Sequence, residues 1–134
     1  QIKESPMKPT FAAVINCMDG RVQDPVNEWM KTYTGATYID VITEAGPDKI
    51  MASTATASRL ILKRILVSRD KHHSEQIALV AHHDCAGNPV SKEKHMEQLQ
   101  QSAKIMATWN LGMTILMLWV DENWKVELIS SIDA

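Results

Sequence analysis

Apolar residues along this chain fall into short blocks of two kinds. Phe11–Ile15 and Ile77–Ala81 are unbroken apolar runs of the length of buried strands, and Thr114–Val120 is a third, slightly longer one. Tyr38–Thr43 reads as a further strand. Between these runs the apolar positions recur at spacings of three and four, the period of a helix with one buried face. Asp24-Pro25 opens the first such helix, with Asp as N-cap and Pro at the first helical position. Val26, Trp29, Met30 and Tyr33 share its face, and Gly35 ends it. Gly46-Pro47-Asp48 breaks the next strand and opens a longer helix to about Ser68, with Ile50, Thr54, Ala57, Ile61 and Ile65 inward. Asn88-Pro89 interrupts again. A helix from about Ser91 to Trp109 then carries Met96, Leu99, Ala103 and Met106 inward. Asp121-Glu122-Asn123 is a turn, and Trp124–Ile129 returns as the partner of a hairpin. Gln1–Thr10, with two prolines and mixed charge, reads as an arm outside the core.

Strands alternate with helices until that hairpin. The pattern predicts an α/β fold: a mainly parallel central sheet, helices on both faces, and a C-terminal antiparallel edge hairpin. A chain of 134 residues suits one domain over 1–134 with one sizeable core. In such sheets ligands bind at the carboxyl ends of the strands, where the strand order reverses. If the first and third strands are neighbours, the residues that follow them meet at one crevice.

Composition narrows the function. A net charge of −2, with acidic and basic residues intermixed, points to neither a nucleic-acid nor a membrane surface. The longest apolar run, Met113–Val120, falls well short of the roughly 20 residues of a membrane span. The basic cluster from Lys63-Arg64 to Lys71, with His72-His73, reads as a solvated helix end. No signal-peptide pattern is visible. Two cysteines do not make a disulfide framework, so a cytosolic, reducing setting with thiolates free for a metal is expected.

Both cysteines sit just past strand-like runs, in Cys17-Met18-Asp19-Gly20-Arg21 and His82-His83-Asp84-Cys85. Zinc takes thiolate and imidazole ligands in a tetrahedral shell, and a catalytic site keeps one position open for water. Cys17, His82 and Cys85 supply three ligands, and the His-x-x-Cys spacing lets one tight turn present two of them. His83 is a competing ligand whose side chain should point elsewhere, and Asp84 can hold a ligand imidazole or a nearby backbone group. Asp19 can ligate the metal or accept a hydrogen bond from its water, while Arg21 can hold Asp19 by a charge-assisted pair. The residues alone leave a plainer reading open. In it the cysteines are small buried groups, His82 is a satisfied core histidine, and Asp19 and Arg21 belong to a surface turn.

Cys17-x-Asp19-x-Arg21 followed by His82-x-x-Cys85 resembles the signature of the beta-class carbonic anhydrases, and the likeness in order and spacing runs from about Phe11 to Ile129. Thr43-Glu44-Ala45-Gly46 falls where that family usually shows Arg-Asn-Ala-Gly. Ala81 stands in place of a common Gly, and Ala86 separates Cys85 from the Gly that usually follows it. The resemblance implies one zinc per chain on Cys17, His82 and Cys85, with Asp19 and Arg21 as a catalytic dyad that either frees the fourth zinc position for water or lets Asp19 occupy it. It implies reversible hydration of carbon dioxide to bicarbonate by hydroxide on that zinc, in a homodimer or dimer-based oligomer. Trp29, Trp109, Trp119 and Trp124 and the many methionines add apolar surface that a second copy would cover. Two alternatives stand beside this: hydrolysis of carbonyl sulfide or carbon disulfide on the same site, and a non-catalytic zinc-binding homologue.

Overall fold

The computed structural model describes residues 8–53 and 56–134. Five strands, β1 (Phe11–Cys17), β2 (Tyr38–Glu44), β3 (Gln76–His82), β4 (Thr114–Val120) and β5 (Val126–Ile132), form one sheet in the order β2-β1-β3-β4-β5. The first four are parallel, and β5 returns antiparallel to β4. β1, β3 and β4 are covered on both faces, which is why they read as continuous apolar runs rather than alternating ones. Helix α1 (Gln23–Thr34) covers one face, where Val26 and Met30 pack on Val14, Val80 and Leu118. Helices α2 (Pro47–Met51), α3 (Thr56–His72) and α4 (Lys92–Ala107) cover the other. There Met51, Ile61, Ile65, Leu99 and Met106 pack on Ile15, Leu79 and Met117. The fold class is the one expected.

From β1 the chain crosses to β2 on one side and reaches β3 on the other. Strands β1 and β3 are therefore neighbours, with Ile15 opposite Leu79. Their carboxyl ends, Cys17 and His82, lie at the reversal of strand order, where doubly wound sheets open a crevice.

Several local expectations need correction. Asp24 is not the N-cap of α1, nor Pro25 its first residue. A short 3₁₀ turn over Gly20–Val22 runs straight into the helix, so Val22 holds the cap position and Asp24 lies in the first turn. The capping side chain is Asp19, whose Oδ1 accepts the Arg21 N–H at 2.9 Å. The long second helix is two helices, and α3 runs on to His72. At the break the Ser53 hydroxyl donates to the Ile50 carbonyl at 3.2 Å, the local competition by which hydroxyl residues unsettle a helix. The break resets the helical phase, so Ser58 is buried in place of Ala57. Thr54 lies outside the described residues, as does most of the Gln1–Thr10 arm. Helix α4 begins as expected, with the Ser91 hydroxyl accepting the Lys94 N–H at 3.1 Å, but ends at Ala107 rather than Trp109. Strand β5 starts later and runs longer than Trp124–Ile129. The Asp121 carboxylate accepts the N–H groups of Asn123 and Lys125 and keeps Trp124 in the turn, at φ 59°.

The apolar surface is also distributed differently from expectation. Trp119 is core, and Trp29, Trp109 and Trp124 are half-buried against the two cores. The exposed apolar side chains are Met18, Tyr33, Tyr38, Val41, Leu60 and Val67, with a few others. Arg64 and His72 of the basic cluster pair with Glu44 and Asp40, each at 2.7 Å. Among the described residues, no helix is long and apolar enough to cross a membrane.

Candidate metal centre

The end of β1 delivers Cys17 and the end of β3 delivers His82. The turn after β3 then brings Cys85 back between them. Asp84 makes that turn possible by adopting φ 57°, a left-handed conformation that Asp tolerates better than most residues. The two sulfurs are 3.9 Å apart, and one ligand atom from each of Cys17, His82 and Cys85 lies within 4.8 Å of the others. All three residues are buried. The His82 Nδ1 pairs with the His83 carbonyl at 2.7 Å, which assigns the proton to Nδ1. Nε2 is then buried and makes no hydrogen bond. An unpaired polar atom in a protein interior costs about 1–3 kcal/mol, so its retention asks for a partner. Two sulfurs and a free imidazole nitrogen at this spacing are a donor set that fits a zinc ion.

The protonation of the cluster agrees with that fit. The neighbouring Cys85 thiol holds the Cys17 thiol well below its usual range, against burial and with help from His82 and the backbone of Gly46 and Asp19. The Cys85 thiol is pushed up, first by the Cys17 sulfur and then by burial. Burial disfavours a charged His82, but the Cys17 sulfur and the His83 carbonyl outweigh it and raise the imidazole.

Asp19 and Arg21 lie at the edge of the cluster. Arg21 grips the Asp19 carboxylate with two groups, Nε to Oδ1 at 3.1 Å and Nη2 to Oδ2 at 2.7 Å. This pairing, with the Arg21 backbone N–H, lowers Asp19 to about 2. Neither Asp19 oxygen belongs to the ligand cluster. Asp84 is expected to hold a ligand imidazole or a nearby backbone group, and its carboxylate pairs with the Arg21 side chain instead. The His83 carbonyl holds the His82 imidazole. The His83 side chain is exposed and turns away, as expected.

Sequence reasoning missed the groups that brace this site. The Gln23 amide donates to the carbonyls of Cys17, at 2.6 Å, and Asp19, at 3.2 Å. The buried Asn16 amide donates to the Val22 carbonyl at 3.2 Å, closing the same turn from below. Behind Cys85 lies a buried polar network. Asp48 pairs with His95 Nδ1 at 2.5 Å and accepts from the Asn88 amide at 3.1 Å, and that amide also donates to Gln98 at 2.7 Å. Its signal in the sequence was faint: His95 and Ser102 fall on the apolar face of α4, four before and three after Leu99. Glu44, in the family's usual Asn position, turns outward to Arg64.

Two glycines let the loops close. A Cβ on Gly87 would lie 2.7 Å from the Ala45 carbonyl carbon, and one on Gly46 would lie 2.7 Å from Asn88 Cβ. The displaced Gly87, one position later than in the family pattern, therefore still has a packing role. Gly87→Ala is expected to cost about 1–3 kcal/mol by overpacking and to loosen the Cys85 turn. Urea unfolding and a zinc-chelator competition on the same variant check both effects.

The chain belongs to the family described as "Putative carbonic anhydrase", whose model matches residues 7–130. Among solved structures it is similar to a tetrameric beta-carbonic anhydrase from the filamentous ascomycete Sordaria macrospora. The TM-score is 0.52 at 11% identity, over 92% of this chain and 82% of that one. A beta-carbonic anhydrase of Aspergillus fumigatus also aligns, with a TM-score of 0.47 at 14% identity, over 91% of this chain and 76% of that one. A comparison with curated proteins returned no match. Family, fold and Cys2His cluster together support a metal-binding active site of the beta-carbonic anhydrase type.

Proposed function

We propose that this protein is a zinc enzyme that interconverts carbon dioxide and bicarbonate, with one zinc per chain on Cys17, His82 and Cys85. The observation that carries the proposal is the buried, unpaired His82 Nε2 beside two sulfurs 3.9 Å apart, with an Arg-held carboxylate at the edge. Zinc held by three protein ligands lowers the pKa of a water in its open position to about 7 and so supplies hydroxide at neutral pH. The protein's own residues do the rest. Asp19 is ionised throughout the physiological range and is an acceptor for a proton of the attacking water, which orients its lone pair toward carbon. Arg21 keeps that carboxylate from becoming a ligand itself. Stopped-flow hydration of carbon dioxide on zinc-loaded protein, with metal content measured on the same sample, tests the proposal. Turnover of carbonyl sulfide without that of carbon dioxide would replace the substrate, and a zinc-loaded protein inert to both would leave a non-catalytic zinc site.

A homodimer or dimer-based oligomer in a reducing, cytosolic setting belongs to the same proposal. β2 is an edge strand with Tyr38 and Val41 exposed, the Sordaria relative is tetrameric, and both cysteines are free. Sedimentation is expected to show no stable monomer at micromolar concentration. A monomer there would remove the assembly from the proposal.

A further inference from the structure

Arg21 does not hold Asp19 alone. Its Nη1 donates to the Asp84 carboxylate at 3.2 Å, and its Nη2 donates to the Asp84 carbonyl at 3.1 Å as well as to Asp19. Its guanidinium carbon sits 4.6 Å from the ring centre of Trp124. The guanidinium is thus held by two acidic residues and lies over an indole ring. These partners come from three separate places: the turn after β1, the turn after β3, and the β4–β5 turn. Two of them occupy backbone conformations that side chains seldom adopt, Asp84 at φ 57° and Trp124 at φ 59°. An exposed Arg–Asp pair on its own contributes little and is readily exchanged for water. A guanidinium held over an aromatic ring and forked between two carboxylates has far fewer alternatives.

We infer that Asp84 and Trp124 are positioning residues that lock Arg21 in place and thereby decide whether the Asp19 carboxylate stays off the metal position. The inference rests on the zinc-site reading above and deepens it, because it assigns control of the open position to the turn after β3 and the β4–β5 turn. When the lock holds, both Asp19 oxygens are engaged by Arg21 and an exogenous anion can reach the metal. When it is loosened, Arg21 exchanges into water and Asp19 competes for the metal as an internal anion.

The experiment uses cobalt(II)-loaded protein, whose visible absorption reports the ligand set, titrated with azide at neutral pH. The variants are Asp84→Asn, Trp124→Leu and the double substitution. Asn accepts the left-handed backbone of position 84, so Asp84→Asn removes the charge without straining the turn. Trp124→Phe keeps a ring under the guanidinium and should retain most of the wild-type behaviour. Cobalt uptake is expected to stay near one per chain, while azide affinity falls by about tenfold or more in the double variant as the clamp's contribution to the Arg21–Asp19 pairing is lost. Adding Asp19→Ala to the double variant should restore azide binding, which a merely structural role for Asp84 or Trp124 would not produce. Unchanged azide affinity in cobalt-loaded Asp84→Asn and Trp124→Leu, or a failure of Asp19→Ala to restore it, overturns the inference and leaves the metal site standing. A wild-type protein that takes up no cobalt or zinc overturns both.

Discussion

Replacing Cys85 with serine is expected to strip the metal and lower the stability of the fold together. The Cys85 sulfur lies 3.9 Å from that of Cys17, and the turn that carries it is held by Gly87, Asn88 and the Asp48–His95 pair. A serine oxygen is a harder and weaker donor to zinc than a thiolate. Loss of a ligand should exceed the 10–100-fold that follows loss of a ligand's supporting partner, so metal affinity should fall by at least about 100-fold. At free zinc about 1,000 times the wild-type dissociation constant, bound metal adds ~4 kcal/mol to stability, and the variant should forfeit most of it. Metal analysis and urea unfolding with and without a chelator measure the two effects. Full occupancy in both Cys17→Ser and Cys85→Ser would remove the cluster from the list of metal sites.

The same cluster gives the pH dependence a sign. Without metal, Cys17 is held low and Cys85 is pushed up, so loading must expel at least the proton on Cys85. His82, whose proton affinity is raised, adds a second wherever it is charged. Metal affinity should therefore rise with pH, by about tenfold per unit for each proton released, and chelator competition from pH 6 to 8 should show it.

Arg21→Ala is expected to have the largest effect on catalysis while leaving the zinc in place. Arg21 contributes no atom to the ligand cluster, but it engages both oxygens of Asp19. Once freed, that carboxylate can move onto the metal and close the open position, and activity at neutral pH should fall on the order of 100-fold or more. Asp19→Ala should also slow the reaction, but with the open position still accessible to azide. The two variants are thus separated by anion binding as well as by rate. Asp19 itself should not appear in a pH–rate profile between pH 6 and 9. Arg21 holds its pKa down at about 2, so it is ionised throughout that window. Its contribution to stability is present above the ordinary carboxylate range and is lost only as pH falls through about 2. Arg21→Ala should abolish that contribution, because Asp19 then titrates near the ordinary carboxylate value in both the folded and the unfolded chain. If both variants hydrate carbon dioxide at the wild-type rate across pH 6 to 9, the pair is only a turn-stabilising contact.

What the sequence determined by itself was the order of elements and which side chains could serve a metal as donors. Buried parallel strands need long apolar runs, and thiolate and imidazole are chemically distinct from everything around them. Both properties belong to residues one at a time or to near neighbours, so they survive without coordinates. The order of the strands was a condition rather than a result. Only the sheet shows β1 beside β3 and therefore Cys17 beside His82 and Cys85. The tertiary structure also decided everything that depends on pairs distant in the chain. It moved the start of α1 by routing a 3₁₀ turn through Asp19, and it split the long helix so that Ser58 rather than Ala57 faces inward. It gave Asp84 to Arg21 instead of to a ligand imidazole or a nearby backbone group, and it brought Trp124 from the far hairpin onto the same guanidinium. The buried Asp48–His95–Asn88 network joins three segments, and no one of them carries its pattern alone. Local periodicity encodes which face of an element is buried. Which polar groups then meet across that buried face depends on strand order, register and the few residues that turn the chain.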